Sequence, residues 1–229
     1  MTAEIRIISS MATRQLLADL VARFAETSPQ RVSVESVGGV DAAKRVKAGG
    51  IFDGVVLAAN AIDDLIAAGK VVAGSRVDLV QSGVAIAVRA GAPRPDVASE
   101  DAVKRAVLAA RSISYSTGPS GVQLAKLFER WGIADTIKSR IVQAPPGVPV
   151  GALVARGEVE LGFQQLSEMM NLGGIDVLGP LPPAIQIITT FSGGIAQTST
   201  QPEAVRALFA FMASPAVAAI KQQNGMEPA

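Results

Sequence analysis

The sequence predicts an α/β protein built as two lobes of mainly parallel sheet with helices on both faces, and three observations carry that prediction. Apolar residues make up 49% of the 229-residue chain, and Ala, Val, Ile and Leu dominate them, the mix that buried parallel strands under helices require. Through roughly the first eighty residues, short apolar runs alternate with stretches of helical period, an order that implies parallel pairing. The rhythm then changes at an almost unbroken apolar run, Val84–Val88, after which a second α/β set begins.

Glu4–Ile8 reads as the first strand, broken by Ser9 and Ser10. From about Ala12 to Glu26, Leu16, Leu17, Leu20, Val21 and Phe24 recur at helical spacing, with Arg14, Asp19 and Arg23 on the other face. Arg31–Ser36 is a short strand and Val37–Gly39 a loop, with Asp41 the N-cap of a helix through Lys47. Phe52–Ala58 is a buried strand, and Ile62–Ala68 a helix stopped by Gly69. Beyond Val84–Val88 and the loop Gly91–Pro95 come a helix Glu100–Ala110, a strand Ser112–Ser116 and a helix Gly121–Trp131. A helix Val150–Arg156, a strand Leu161–Phe163, a helix Gln165–Asn171 and a strand Asp176–Leu178 follow. Gly179–Pro183 is a stiff exit. Gln186–Phe191 is a strand leading away from it, and helices over about Pro202–Met212 and Pro215–Gln223 close the chain. The apolar strands near Val84 and Ile187 sit where the chain would cross between lobes, and the cleft between lobes is the expected ligand position.

Composition excludes several functions. Lys+Arg 21 against Asp+Glu 20 gives a net charge of +1, so no global field draws in nucleic acid or an acidic membrane. Aromatics at 4%, with one Trp and one Tyr, leave no stacking platform for bases or sugars. Cysteine and histidine are both absent. Disulfides, thiol chemistry, zinc sites of the N/S type and every His-based triad are thereby removed, and no metal or cofactor is expected. Acid–base chemistry would have to come from Asp, Glu, Lys, Tyr115 or water. The start, MTAEIRIISS, lacks a basic n-region and an apolar h-region. It reads as a cytoplasmic protein, or as a periplasmic one whose signal has been removed. No apolar run is long enough to span a bilayer, so membrane insertion is not expected.

Four segments carry a family resemblance: ISSMA at Ile8–Ala12, VKAGGIFDGVVLAAN at Val46–Asn60, YSTGPSGVQLAKLFERWGI at Tyr115–Ile133 and ALVARGEVELGFQQLSE at Ala152–Glu168. In order, and over nearly the whole chain, they resemble the molybdate-binding-protein-like branch of the type II periplasmic binding protein superfamily. The resemblance implies lobe one at 1–81 plus 192–229 and lobe two at 82–191, joined by two crossover strands. It further implies a small anion held between lobes by hydroxyls and backbone N–H groups at helix starts, where unsatisfied donors and partial positive charge are found. An ABC permease is the partner it implies for transport.

The candidate loops follow from that match. Ser9, Ser10 and Met11 fall in the family's first anion-binding loop, although a serine there also suits a helix cap. Gly38, Gly39 and Val40 occupy the second loop, where oxyanion binders look serine-rich and this chain has no hydroxyl; the segment is either a set of backbone donors or a tight turn. Ser116, Thr117, Ser120 and Gly121 form the strongest local signal, a strand end and a glycine-containing loop running into a helix. Gly147 and Val148, in the run Pro145–Val148, match a fourth contact loop. Gln164 and Gln165 stand where some oxyanion binders place a tyrosine, and their amides suit a carboxylate or hydroxy acid. Asn60 follows the third strand toward the ligand, whereas Asp53 belongs at that strand's start. Arg89, Arg94 and Lys126 are charge partners only if they leave solvent, and Arg14 and Lys44 would have to swing inward from their helix starts.

The leading reading is a solute-binding protein that closes around a small anion, a small carboxylate more than an oxyanion. Its rival resembles the bacterial aconitate isomerases, enzymes on the same scaffold, with Glu168, Tyr115 and Lys126 as proton-transfer candidates. A ligand sensor is a third class. The missing hydroxyls at Gly38–Val40 predict that molybdate binds poorly or not at all; a submicromolar affinity by calorimetric titration would overturn this.

Overall fold

The computed structural model describes residues 3–145 and 147–229; Pro146, in the Pro145–Val148 loop, lies outside the described residues. In chain order come β1 (Ile5–Ser10), α1 (Arg14–Ala25), β2 (Val32–Val37), α2 (Gly39–Lys47), β3 (Gly54–Ala58), α3 (Ala59–Ala67) and β4 (Val77–Arg89). Next are α4 (Glu100–Ala109), β5 (Ile113–Tyr115), α5 (Pro119–Arg130), α6 (Ala134–Ile137), α7 (Val150–Ala155), β6 (Leu161–Gln165) and α8 (Leu166–Met169). The chain closes with β7 (Ile175–Pro180), β8 (Ile188–Ile195), α9 (Pro202–Ala213), α10 (Ala218–Gln223) and β9 (Glu227–Pro228). It divides into two compact units, Met1–Ser82 with Thr189–Ala229, and Gly83–Ile188.

In the first unit β1 pairs in parallel with both β2 and β3, and β8 joins β3 antiparallel. Ile5, Ile7 and Ile8 of β1 are buried on both faces of the strand, because both faces are covered. Ile5 and Ile7 pack with Leu16 and Leu20 of α1 and Val205, Phe209 and Met212 of α9. Ile8 packs oppositely, with Val46, Ile62 and Leu65. Phe209 needs glycines beneath it: a β-carbon at Gly193 would stand 3.0 Å from its ring, and one at Gly54 would stand 3.0 Å from the ring and 2.5 Å from the Ile7 methyl. At the amino end of β3, Asp53 accepts from the Arg6 N–H at 3.0 Å and from the Ser199 hydroxyl at 2.9 Å. It is a structural staple between the strand and the C-terminal segment. Lys221 is buried and donates to the Leu79 carbonyl at 2.8 Å; burial lowers its pKa.

In the second unit β4 pairs antiparallel with both β6 and β7, while β5 lies parallel to β6. Both β6 and β7 pair with Ala85–Ala87, so they flank β4 and run the same way, linked through α8. One face packs Val84, Ile86 and Phe163 with Val103, Val107, Leu124 and Phe128; the other packs Ala85 and Ala87 with Val150, Leu153 and Val154.

Parallel pairing is thus as expected for β1, β2, β3 and β5–β6, whereas β4 and β8 run against their neighbours. Several expected boundaries shift. The helix α2 starts at Gly39 with Gly38 as its N-cap, so Asp41 lies within its first turn. The strand at Val84 begins at Val77 and pairs with β9 at Val80 and Gln81, and Gly179 and Pro180 complete β7 rather than an exit loop because they pair with Ile86 and Ala85. The helix after β6 shortens to Leu166–Met169, and the last helix opens as a 3-10 turn, Pro215–Val217. Among the described residues no single helix is long and apolar enough to cross a membrane.

Gly54→Ala should destabilise the protein by about 1–3 kcal/mol, the usual cost of overpacking a filled core. Denaturant unfolding with an unchanged midpoint would show that Ile7 and Phe209 yield freely.

Candidate functional site

Because β1, β2 and β3 are parallel, Ser10, Val37 and Ala58 end at one edge of the first unit's sheet, and α2 and α3 start there. Ser9 and Ser10 are the last residues of β1, not a loop. Ser9 is 0% exposed, and its hydroxyl pairs with that of Ser36 at 2.7 Å across the β1–β2 ladder. The pair is a cross-strand contact at the carboxyl end of the sheet. Ser10 is half-buried and caps the 3-10 turn Met11–Thr13, accepting from Ala12 N–H at 3.3 Å. A β-carbon on Gly39 would lie 3.7 Å from the Ser10 hydroxyl oxygen, so these two candidates adjoin. The starts of α2 and α3, at Gly38 and Ala58, have no side-chain cap, which leaves first-turn N–H groups outside the helix ladder. Asp41 sits in the first turn of α2 and already offers negative charge there. Val40 and Asn60 are exposed in the first turns of α2 and α3. Arg14 and Lys44 are exposed and stay outside the cluster of Ser10 and Gly39.

The second unit offers a matching edge where β5 and β6 end. Helix α5 begins at Pro119, with Gly118 at the N-cap and no side-chain cap; Pro at that position spends no donor. The Ser116 and Ser120 hydroxyls are 3.1 Å apart. Gly121 is obligatory, since a β-carbon would stand 1.6 Å from the Ser116 carbonyl oxygen. Thr117 is exposed at the tip of this loop and Ser120 is buried in it. The Val148 N–H is spent on the Pro145 carbonyl at 3.0 Å, and Gly147, at φ 76°, is the turn glycine that allows it.

Gln164 and Gln165 end β6, and each is 4% exposed. Gln164 accepts from the Gly151 N–H in the first turn of α7 at 3.3 Å. Glu168, in the first turn of α8, is pushed up to about 7 by burial, with Gln164 acting in the opposite direction. Tyr115 packs its ring edge-on to Phe128, centroids 5.9 Å apart, and burial raises its pKa. Lys126 lies on the exposed side of α5, about two turns from its start. Arg94 is 3.9 Å from Asp176, and Arg89 is exposed at the far end of β4 from Gln165. Sequence reasoning missed Ser36 and Gly151; the spacing within β2 and α7 gives no sign of either, since both act through partners distant along the chain.

Residues 5–227 match the family described as bacterial extracellular solute-binding protein. The chain belongs to that family. This solute-binding protein is 44% identical over 179 residues to an aconitate isomerase from a Pseudomonas species, spanning 77% of this chain and 67% of that one. It superimposes on the periplasmic molybdate-binding protein of Azotobacter vinelandii with TM-score 0.80 at 20% identity, covering 97% of this chain and 98% of that one. The sulfate-binding protein SubI of Mycobacterium tuberculosis H37Rv gives TM-score 0.80 at 16% identity, covering 99% and 87%. At such identities the likeness establishes the fold alone, one shared with periplasmic binding proteins.

A carboxyl whose folded pKa lies above its unfolded value favours folding while protonated, and that contribution is lost as pH rises toward the folded value of about 7. Glu168→Gln should therefore raise Tm at pH 8 relative to the parent, with the difference vanishing near about pH 4. An equal or lower Tm at pH 8 would mean that the ionised Glu168 is not penalised by its surroundings.

Proposed function

We propose that the protein binds a small di- or tricarboxylate, and that in transport it passes this solute to an ABC permease outside the cytoplasm. The observation that carries the reading is the start of α2, where Gly38, Gly39 and Val40 supply backbone N–H groups and no hydroxyl. Two or three N–H donors match a carboxylate, which spreads one charge over two oxygens; a tetrahedral oxyanion needs donors around four. The 44% identity to an aconitate isomerase supports a tricarboxylate in particular.

Glu168 favours a second reading, an isomerase on this scaffold. A carboxyl near neutrality is half ionised at the working pH, as a group that both takes and returns a proton requires. Glu168 would remove a proton from a methylene beside a carboxylate. The electron pair left on carbon forms the new C=C bond, the old C=C pair moves outward, and the carbon at its far end accepts a proton from the Glu168 carboxylic acid. No redox partner is needed, and the atoms balance.

One pair of measurements decides between them. Thermal shift with molybdate, tungstate, sulfate, phosphate, citrate and cis- and trans-aconitate should give the largest stabilisation with the tricarboxylates, about 2.7 kcal/mol at a hundredfold excess over Kd. The alkene proton signals of cis-aconitate incubated with the protein report conversion. Stabilisation without interconversion selects the binding protein, and interconversion selects the isomerase. Stabilisation by sulfate or molybdate alone would end both.

A further inference from the structure

We propose that Ser36 and Ser116 are the hydroxyls that donate to the anionic solute, each at the carboxyl edge of its own unit and each aimed by a buried serine, Ser9 for Ser36 and Ser120 for Ser116. The assignment rests on the carboxylate reading for the nature of the solute, and on two serine pairs for its geometry. In the first unit the Ser9 and Ser36 hydroxyls are 2.7 Å apart at the end of the β1–β2 ladder, on the face that Ile7 and Val34 present to the core. Ser9 is 0% exposed, so its proton must find an acceptor inside the protein. The acceptors are the Ser36 oxygen at 2.7 Å and the Ser10 carbonyl at 3.4 Å. Hydroxyl bonds favour about 2.7–2.8 Å, so Ser9 donates to Ser36. Ser36 is half-buried and makes no other hydrogen bond among the described residues. Having accepted from Ser9, it turns its own proton away from the pair.

The second unit builds the same device from a helix turn. Gly121 lets the start of α5 settle against the Ser116 carbonyl, and Ser120, four residues on from Ser116, comes to 3.1 Å from the Ser116 hydroxyl. Ser120 is 6% exposed and Ser116 half-buried. Among the described residues neither hydroxyl makes another hydrogen bond, so the buried Ser120 donates and the Ser116 proton is left over. A strand neighbour forms the pair in one unit and a helical turn in the other. Both leave a half-buried hydroxyl with an uncommitted proton in front of a buried one whose proton is spent. Linked hydroxyls polarise one another, so the outer proton is a stronger donor than that of a lone serine. A carboxylate only accepts, and takes such a proton in a charge-assisted bond. Ser9 and Ser120 are then positioning residues, and Ser36 and Ser116 make the contact.

Calorimetric titration of the full chain with citrate, and with sulfate as a second probe, tests the assignment. Ser36→Ala and Ser116→Ala should each weaken citrate about tenfold, the loss of one hydrogen bond to a charged group. Ser9→Ala and Ser120→Ala should weaken it about threefold, and should cost nothing further when combined with the alanine variant of their partner. That non-additivity in affinity separates aiming from a change in Tm alone. Where Ser9→Ala does not fold, a crystal structure of the citrate complex decides: Ser36 Oγ and Ser116 Oγ should lie about 3 Å from carboxylate oxygens, with Ser9 and Ser120 out of reach. Parent-like citrate affinity in either Ser36→Ala or Ser116→Ala, or additive losses in the double variants, would overturn the proposal. A parent that binds sulfate and not citrate removes the carboxylate reading alone, and the same variants then test the hydroxyls against sulfate. A parent that binds neither overturns both.

Discussion

Parallel pairing puts the carboxyl ends of neighbouring strands at one edge of a sheet, and each helix that follows must start there with its first N–H groups unpaired. The remaining features of the candidate site depend on this constraint. In the first unit it gathers Ser10, the start of α2 and the start of α3; in the second it gathers the Ser116–Gly121 loop and the end of β6. The donors are backbone groups, so they persist whatever side chains occupy the loops. What varies is how many hydroxyls and amides supplement them, and with that the shape of anion preferred.

The absence of histidine and cysteine moves any proton chemistry onto a carboxyl, and a carboxyl works near neutrality only when its surroundings raise its proton affinity. The end of β6 supplies that setting. Aliphatic side chains from β4, α7 and α8 pack there, and partial burial beside them raises the Glu168 carboxyl. A residue suited to exchanging protons arises from ordinary core packing at the margin of a binding edge.

Much of the fold was legible in the residues. The alternation of apolar runs and helical stretches located β1 through α3, and the segments around Gly50–Asn60, Tyr115–Ile133 and Ala152–Glu168 carried the family. Strand ends were harder to place, because β4, β6 and β7 gain their last residues from ladder partners far away in sequence. The loop at Ser116 was visible since its strand, glycine, proline and helix follow one another directly. The contact that Ser9 makes was hidden, because its partner, Ser36, lies on a neighbouring strand.

The sequence by itself determined the fold family, the exclusion of thiol and imidazole chemistry and the hydroxyl-poor start of α2, since each is a matter of local pattern or composition. Only the tertiary structure decided which polar groups are committed. Ser9 is tied to Ser36, Val148 N–H to Pro145 and Gln164 to Gly151, whereas Glu168 is left in a setting that holds it near neutral. The reason is physical: a polar atom's availability and a carboxyl's pKa are set by neighbours in space, and residues distant along the chain supply most of those neighbours.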